Sequence, residues 1–310
     1  MNQFEEYFVR EFVEEYRVGH MTRRDMMRRI LYITGGVASA ATLLAGMGVP
    51  SAAFAQPAPP APTAAPSTSP LSVAPDDPAV KTQWISFTNS SDGATIMSYE
   101  ARPSDASGAL PVVLVCMRNQ GVEPQIQDVT RRWAKLGYIA SAVDLLSREG
   151  GTNGIADKAQ IPSLLSKADP NRHVSDFQAA ANYYGTQSDA DASRLGMNGF
   201  CFGGGIVWRS AEAIQTMKAA VPFYGGVPPL DQVPQIQAAV LGVYSSDPND
   251  PANRNRDGLD AALTAAGIVH QMNVYPDTHH DFYNDTNQAY NPDHALAAWN
   301  DAVNWMQQYV

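Results

Sequence analysis

The segment Gly199-Phe-Cys-Phe-Gly-Gly204 points most directly to chemistry by its residue types and spacing. Residues 194–198 have the pattern of a short buried strand and residues 205–214 have helical spacing, so Cys201 stands at a sharp strand-to-helix turn. Glycines suit such a turn because neighbouring backbones approach closely there. A sulfur at a helix N-terminus lies near free N–H groups, which favour its thiolate form. The segment therefore predicts a nucleophilic cysteine, and the alternative is a buried structural cysteine in a glycine-rich turn.

A thiol nucleophile needs a base, and the base needs an acid that orients it. His279 and His280 follow the last predicted strand, and we predict His280 as the base. The acid is expected just after predicted strand 239–244, where Asp247 and Asp250 both qualify. The order nucleophile, acid, histidine along the chain is that of the α/β-hydrolases.

Strands alternate with helices from residue 82 onward, and these elements must position the candidate residues. The apolar run 112–115 is typical of a strand buried on both faces of a parallel sheet. The pattern predicts an α/β-hydrolase fold, with a doubly wound, mostly parallel sheet and helices on both faces, opened by an antiparallel hairpin. The predicted strands are 83–87, 95–101, 112–115, 138–143, 195–198, 219–223, 239–244 and 269–275, and the helices are 126–136, 173–184, 205–214, 256–266 and 293–309.

Composition restricts the partners of this chain. Its net charge of −10 offers no basic field for nucleic acid, so we expect no such partner. The six histidines include one close pair, 279–280, and no helical H-x-x-x-H, so neither a metal site nor another cofactor is expected. Cys116 and Cys201 are 85 residues apart, and a catalytic Cys201 must stay reduced, so we expect no stable disulfide.

Residues 1–55 have the features of an export signal. Twin arginines at 23–24 precede the charge-free stretch 30–49, and Ala53-Phe-Ala55 forms an A-x-A cleavage site. The arginine pair resembles the twin-arginine (Tat) type, which exports folded proteins, so we expect the Tat machinery as a partner and a periplasmic or extracellular location. The alternative is retention of stretch 30–49 as a membrane anchor, since its length is about enough to cross a bilayer.

The predicted signal is followed by a linker and a catalytic domain. Segment 56–75 contains seven prolines among alanine, serine and threonine, which predicts an extended Pro/Ala-rich linker over 56–81. The catalytic domain is expected over 82–310. Ahead of the arginines, residues 4–16 have an amphipathic helical pattern, which suits either a solvated leader helix or a docking site for a chaperone or export factor.

From about residue 83 to the last residue, the chain resembles the dienelactone hydrolase (carboxymethylenebutenolidase) family, especially its exported twin-arginine relatives. The nucleophile turn matches the family's G-[YF]-C-x-G-G. The segment Tyr275-Pro-Asp-Thr-His-His-Asp-Phe282 matches Y-P-G-x-x-H-x-F, which places the base on His280 rather than His279. Two further matches are Val221-Pro-Phe-Tyr-Gly225 after the nucleophile helix and Asp144-Leu-Leu-Ser-Arg148, whose arginine binds a substrate carboxylate in the family.

The resemblance implies hydrolysis of a small-molecule ester or lactone through a Cys-His-Asp triad. Cys201 would attack the carbonyl to give an acyl-enzyme, His280 would take and return the proton, and water would release the acid. The other implied site residues are Asp247 or Asp250 as the acid, the N–H groups of Phe202 and of Met117 or Arg118 as the oxyanion donors, and Arg148 and Tyr224 as substrate-binding groups. The competing interpretation is a non-catalytic, exported ligand-binding protein on the same fold.

Three features depart from the family's pattern, one of them an acid loop with about one residue of extra length before Asn253. Where the family has H-E-N-R-G, this chain has Met117-Arg-Asn-Gln-Gly121, so Arg118 replaces the glutamate that engages the resting cysteine and Gln120 replaces the arginine. A second substrate-binding arginine of the family appears as Asn284. These departures argue against dienelactone itself as the substrate. Because a nearby cation favours a thiolate, Arg118 also leads us to expect that Cys201 rests as a thiolate.

Overall fold

An eight-stranded sheet forms the centre of the protein, in a computed structural model that describes residues 1–47 and 69–310. The spatial order of the strands is β1-β2-β4-β3-β5-β6-β7-β8. Pairing is antiparallel for β1 with β2 and for β2 with β4, and parallel from β4 through β8. The strands are β1 Val80–Thr88, β2 Thr95–Pro103, β3 Leu110–Cys116, β4 Ile139–Val143, β5 Ala190–Phe200, β6 Met217–Phe223, β7 Ala239–Ser245 and β8 His270–Tyr275. The predicted α/β-hydrolase fold with an opening hairpin is confirmed.

The central parallel strands are buried on both faces, as their uninterrupted apolar sequences predict. All five residues of β4 and all seven of β7 are buried, and so are the last five of β3. Strand β5 is longer than predicted because its first residues pair with Leu110 and Pro111 across a shift in register. Parallel pairing from β5 through β8 places the carboxyl ends of β5, β7 and β8 at one edge of the sheet, where the predicted site residues follow.

Helices cover both faces of the sheet. On one face α4 and α10 meet, with the rings of Trp133 and Trp299 4.5 Å apart. On the other face α7 packs against α8, the helix that follows Cys201. The helices are α1 Gln3–Arg17, α2 Arg23–Thr34, α3 Val37–Gly46, α4 Pro124–Lys135, α5 Gly151–Gly154, α6 Ile161–Lys167, α7 Pro170–Tyr184, α8 Phe202–Ala213, α9 Arg256–Ala265 and α10 Pro292–Tyr309.

The N-terminal residues 1–47 pack against this domain as three helices. Residues 4–16 are helical, as their pattern predicts, but the solvated interpretation is wrong because Phe8 and Phe12 are fully buried. Their spacing of four places both on one face of α1, which lies against the domain. The A-x-A motif at 53–55 and most of the predicted linker lie outside the described residues.

Neither described part of the chain, 1–47 or 69–310, contains a single helix long and apolar enough to span a membrane. Helices α2 and α3 meet that criterion only as a pair, and they are bent by 106°. Ile30 of α2 and Leu44 of α3 are fully buried in the protein. The charge-free stretch therefore lies partly in contact with the rest of the chain.

Candidate active site

Cys201 lies at the single-residue turn between β5 and α8. Its backbone has φ 57° and ψ −122°, a conformation that costs a non-glycine residue about 1–3 kcal/mol. Such strain at a strand-to-helix turn raises a nucleophile above the sheet edge. Phe202 begins α8, so its N–H has no partner within the helix and is a candidate oxyanion donor beside Cys201.

Two glycines permit this turn by close backbone approach. A Cβ on Gly199 would lie 2.7 Å from the Gly203 oxygen and 2.8 Å from the Cys116 Cβ. A Cβ on Gly203 would lie 2.4 Å from the carbonyl oxygen of Met117. The start of α8 is therefore pressed against the end of β3, which brings the loop at Met117 and Arg118 beside the cysteine turn.

His280 lies in the loop after β8, close to the cysteine turn, and Asp250 bonds the Nδ1 atom of its ring. Nδ1 of His280 lies 2.9 Å from Oδ1 of Asp250, and the Ala252 N–H donates to the same oxygen at 2.9 Å. The other oxygen, Oδ2, accepts from Ser245 Oγ at 2.6 Å. These bonds fix Asp250 at the start of a short helical turn, Pro251–Asn253. His280 Nε2 is left without a protein hydrogen-bond partner among the described residues.

Asp247 bonds His279 and not His280. Its Oδ2 lies 2.7 Å from Nδ1 of His279, whose side chain is 52% exposed. His280, by contrast, is only 8% exposed and its Asp250 partner is buried. The two aspartates that the sequence left open are therefore separated by the structure, one in each histidine pair.

Glu11 of α1 occupies the space beside Cys201. The Cys201 thiol donates to Glu11 Oε2 at 3.1 Å, and this oxygen lies 3.9 Å from His280 Nε2. The other oxygen, Oε1, accepts from Asn119 Nδ2 at 2.6 Å. A carboxylate 190 positions away in sequence thus contacts the predicted nucleophile.

These contacts raise the pKa values of both Cys201 and His280, which favours a neutral thiol and a protonated imidazole. Burial and the Glu11 charge raise the pKa of the Cys201 thiol to about 12. Burial opposes the charged form of His280, but the Asp250 carboxylate raises the pKa of that imidazole above its usual range. Burial also raises the pKa of Glu11 itself. With α1 in place, Cys201 is therefore a neutral thiol.

Comparison with known proteins identifies the family. The profile of the dienelactone hydrolase family matches residues 96–310. The chain belongs to this family. An Escherichia coli (strain K12) protein provisionally assigned as a carboxymethylenebutenolidase is 34% identical over 264 residues, which cover 80% of this chain and 94% of the relative.

Solved structures agree with this assignment. A crystal structure of a provisionally assigned dienelactone hydrolase from Klebsiella pneumoniae is 31% identical, with a TM-score of 0.67, covering 74% of this chain and 100% of that one. The structure of the dienelactone hydrolase-like promiscuous phosphotriesterase P91 is 21% identical, with a TM-score of 0.66 over 74% of this chain and 99% of that one, and supports the fold alone. The protein is accordingly a hydrolase of the dienelactone hydrolase family.

Arg118 lies in the loop after β3, but it does not stabilise a thiolate at Cys201 as expected. Its guanidinium pairs with Asp281 at 2.8 Å and with Glu123 at 2.7 Å, and it is 4% exposed. The expectation of a resting thiolate is wrong for this structure, because Arg118 is neutralised by two carboxylates while Glu11 lies against the sulfur. The carboxylate beside the cysteine comes from α1 rather than from the β3 loop.

Asp281 is a centre of polar contacts that the sequence did not reveal. Besides Arg118, its carboxylate accepts from Asn284 Nδ2 at 2.8 Å, Asn287 Nδ2 at 2.7 Å and the Tyr224 hydroxyl at 3.1 Å. Tyr224 also lies against His280, with ring centroids 4.8 Å apart. Asp281 has φ 67°, so these bonds hold a strained residue directly after His280 and fix the direction of the histidine loop.

Arg148 is held in ion pairs with two aspartates. Both of its terminal nitrogens bond Asp176 at 2.8 Å, and it also pairs with Asp92 at 2.8 Å. Asp176 is fully buried, so the arginine compensates its charge and joins α7 to the β1–β2 turn. In this structure Arg148 therefore acts as an ion-pair partner that joins two parts of the fold.

The sequence contained a signal for Glu11 that was not recognised. Residues 4, 8 and 12 form the apolar face of the helix, and a residue at position 11 lies on that same face. A carboxylate on a buried face must meet a polar partner, because an unpaired buried charge is costly.

Glu11, Cys201 and His280 also form a possible metal-ligand set. Their ligand atoms lie within 4.8 Å of one another, and carboxylate, thiolate and imidazole are all ligands that zinc binds.

Replacing Glu11 by glutamine is expected to lower the pKa of Cys201. The amide keeps the size of the side chain but removes the negative charge that disfavours the thiolate, so thiolate should form at lower pH than in the unmodified protein. The measurement is thiolate absorbance near 240 nm during a pH titration, with Cys201→Ala subtracted as the blank. An unchanged titration would show that Glu11 does not control this ionisation.

Replacing Arg118 by leucine is expected to destabilise the fold by about 3–5 kcal/mol, because Asp281 loses its buried cation. Urea unfolding monitored by tryptophan fluorescence would measure the change. Arg194→Leu is the matched control, since that arginine pairs with Asp191 on the surface and should leave the midpoint unchanged. Equal midpoints for both variants would contradict a structural role for the Arg118 pair.

Proposed function

We propose that the protein hydrolyses carboxylic esters or lactones, with Cys201 as nucleophile, His280 as base and Asp250 as acid. The observation that carries this proposal is the placement of His280, which has Nδ1 bonded to Asp250 and Nε2 unpartnered toward Cys201 at a strained turn. A histidine held in this way exposes one nitrogen for proton transfer. Asp247 is excluded from the triad in this proposal because its partner is His279.

The reaction would run through an acyl-enzyme. His280 takes the thiol proton while the Cys201 sulfur attacks the carbonyl carbon, and the oxyanion forms near the N–H groups of Phe202 and of Met117 or Arg118. The protonated His280 then gives its proton to the departing alkoxide. A water molecule then gives a proton to His280 and attacks the thioester carbonyl carbon. The carbon–sulfur bond breaks, His280 returns the proton to the Cys201 sulfur, and the carboxylic acid leaves.

The family and the site chemistry support the proposed class of substrate. One relative, a Bradyrhizobium protein with 27% identity over 73% of this chain and 94% of its own length, is provisionally named a 2-oxo-3-(5-oxofuran-2-ylidene)propanoate lactonase. We propose that an activated ester or a lactone is the substrate here as well. The replaced β3 loop and the use of Arg148 in an ion pair argue for a substrate that differs from dienelactone in its polar groups.

Hydrolysis of p-nitrophenyl acetate with detection of the acyl group tests this function. Because α1 covers Cys201, the assay uses both the intact chain and a chain cut within residues 48–68 and freed from residues 1–47. We expect mass spectrometry of the quenched reaction to show an acetyl group on Cys201 and none on the buried Cys116. Hydrolysis that Cys201→Ala leaves unchanged would overturn the cysteine mechanism.

The competing function is a non-catalytic ligand-binding protein. Its support is the altered β3 loop, Met117-Arg-Asn-Gln-Gly121, together with the buried cysteine. The two functions differ in the acyl-enzyme, which a binding protein does not form. Ligand-induced stabilisation against heat without any acylation of Cys201 across a panel of esters and lactones would favour binding.

We further propose that residues 1–55 direct export through the twin-arginine route, on the basis of Arg23, Arg24, the charge-free stretch and the A-x-A motif. Replacing both arginines by lysine should retain the protein in the cytoplasm of a Tat-competent host, as followed by fractionation. Unaltered export of that variant would contradict the route. Membrane association of the exported protein would instead support the uncleaved anchor.

A further inference from the structure

The groove above Cys201 is filled by the chain's own first helix. We propose that this groove is a helix-binding surface whose occupant is residues 3–17, and that the intact chain is a latent hydrolase that opens when this helix leaves. This inference rests on the proposed function, because latency requires an activity that is withheld. Two sets of contacts and the position of two cavities support it.

The first set is apolar and centres on Phe202, whose N–H is a proposed oxyanion donor. The rings of Phe4 and Phe8 lie 5.0 Å and 5.3 Å from the ring of Phe202. Tyr7 lies over His280, with centroids 6.4 Å apart, and its hydroxyl donates to the Tyr224 carbonyl at 3.3 Å. Helix α1 therefore covers the groups that would contact a substrate.

The second set is polar and closes the thiol. Glu11 Oε2 lies 3.1 Å from the Cys201 sulfur and accepts the hydrogen bond of its thiol, so α1 engages the nucleophile directly. Asn119, in the loop after β3, holds the other carboxylate oxygen. Cys201 is 2% exposed as a result. A carbonyl carbon cannot approach the sulfur while Glu11 is in this position.

The third observation is a pair of cavities at opposite ends of α1. One, of about 390 Å³, lies at its N-terminal half between Tyr7 and Arg10 and the domain residues Val227 and Arg254. The other, of about 350 Å³, lies beyond its C-terminal half and is lined by Glu15, His20 and Arg29 of the N-terminal segment and by Arg118 and Asn284 of the domain. Glu11 stands between Tyr7 and Glu15 along the helix, so α1 separates the two cavities at the level of Cys201.

The polar contacts along the edge of α1 suit a helix that can be released. Glu6 pairs with Arg254 at 3.1 Å, and both side chains are largely exposed, so water can replace the pair. Asn2 donates to the Ser166 carbonyl at 2.7 Å and Gln3 donates to the Val227 carbonyl at 3.1 Å. Cleavage at the predicted A-x-A site would sever the segment from the domain, so an exported precursor would travel with its site closed.

The test is a full chain with a specific protease site placed within residues 48–68, which leaves every described contact in place. Iodoacetamide labelling of Cys201 is followed by peptide mass spectrometry in the intact chain, in the cut chain, and in the domain after residues 1–47 are removed by chromatography. We expect labelling to rise at least about tenfold on removal, as covered thiols become accessible. Cys116, fully buried in β3, is the internal control and should stay unlabelled.

A second variant keeps the test independent of cutting. Phe8→Ala with Phe12→Ala removes the buried aromatic contacts of α1 in the full chain, and Arg17→Ala is the matched control because its side chain is exposed on the same helix. Only the aromatic pair should speed labelling of Cys201, with the circular dichroism of the domain retained.

Each outcome bears on one claim. Equal Cys201 labelling before and after removal of residues 1–47 would overturn latency, as would a fall in ester hydrolysis on removal, which would make α1 a working part of the site. Faster labelling without hydrolysis of any ester or lactone would uphold the helix-binding groove and overturn the proposed function instead.

Discussion

Asp250→Asn is expected to lower kcat/KM for p-nitrophenyl acetate by about 10³–10⁴-fold in the domain freed of residues 1–47. Asparagine retains the size of the side chain, but its NH₂ would donate to His280 Nδ1. That donation leaves Nδ1 unprotonated and places the proton on Nε2, which then cannot accept one from Cys201. Rates measured at several pH values would report the loss.

Asp247→Asn is the matched control for this experiment. Asp247 bonds the exposed His279, so its replacement should leave kcat/KM unchanged. Equal losses for the two variants, or a loss confined to Asp247→Asn, would remove Asp250 from the triad. Thermal unfolding of both variants separates a catalytic loss from a folding defect, because Asp250 also bonds Ser245 and the Ala252 N–H.

Gly203→Ala is expected to destabilise the protein by about 1–3 kcal/mol, because the new Cβ would meet the Met117 oxygen at 2.4 Å and a buried backbone must move. The same movement would displace the turn that carries Cys201, and an error of 1 Å in such geometry costs about 10²-fold in rate. Urea unfolding and ester hydrolysis measure the two effects.

Gly205→Ala, two residues further along α8, is the matched control. A Cβ there has its nearest neighbour at 3.6 Å, which is ordinary contact. Because alanine is a better helix former than glycine, stability should stay the same or rise by about 0.5–1 kcal/mol. Equal destabilisation by both substitutions would show that helix propensity, and not the approach to Met117, decides the effect.

Local sequence patterns were sufficient for the order of elements. The apolar runs of β3, β4 and β7 are continuous because both faces of these strands are buried, and that burial shows in sequence without any knowledge of partners. Short helices were harder to recognise. Helix α6, Ile161–Lys167, was not predicted, since seven residues show too little periodicity.

The candidate site was predictable where one loop carries its own signal. The turn around Cys201 and the histidine loop are recognisable from adjacent residues. Asp247 and Asp250 could not be ranked, because they stand three residues apart in one loop and both are followed by proline. Only the direction of each side chain, toward His279 or toward His280, distinguishes them.

The pattern of α1 indicates a buried carboxylate at position 11, but the sequence does not show that this carboxylate lies beside Cys201. Arg118 suggested a nearby cation, but its partner Asp281 is 163 positions away and cancels that charge. Glu11 contributes the opposite charge from the far end of the chain. Electrostatic effects depend on distance in space. The residues close to Cys201 in the predicted loops therefore suggested a lowered pKa for its thiol, whereas the structure raises that pKa.

By itself, the sequence determined the α/β architecture, the strained cysteine turn and the order of cysteine, aspartate and histidine, because each follows from residues close together along the chain. The tertiary structure alone decided which aspartate meets His280, that Arg118 is neutralised, and that α1 lies over Cys201. Those outcomes depend on pairings between distant segments, and such pairings are fixed by the packing of buried surfaces and the partners available to buried charges.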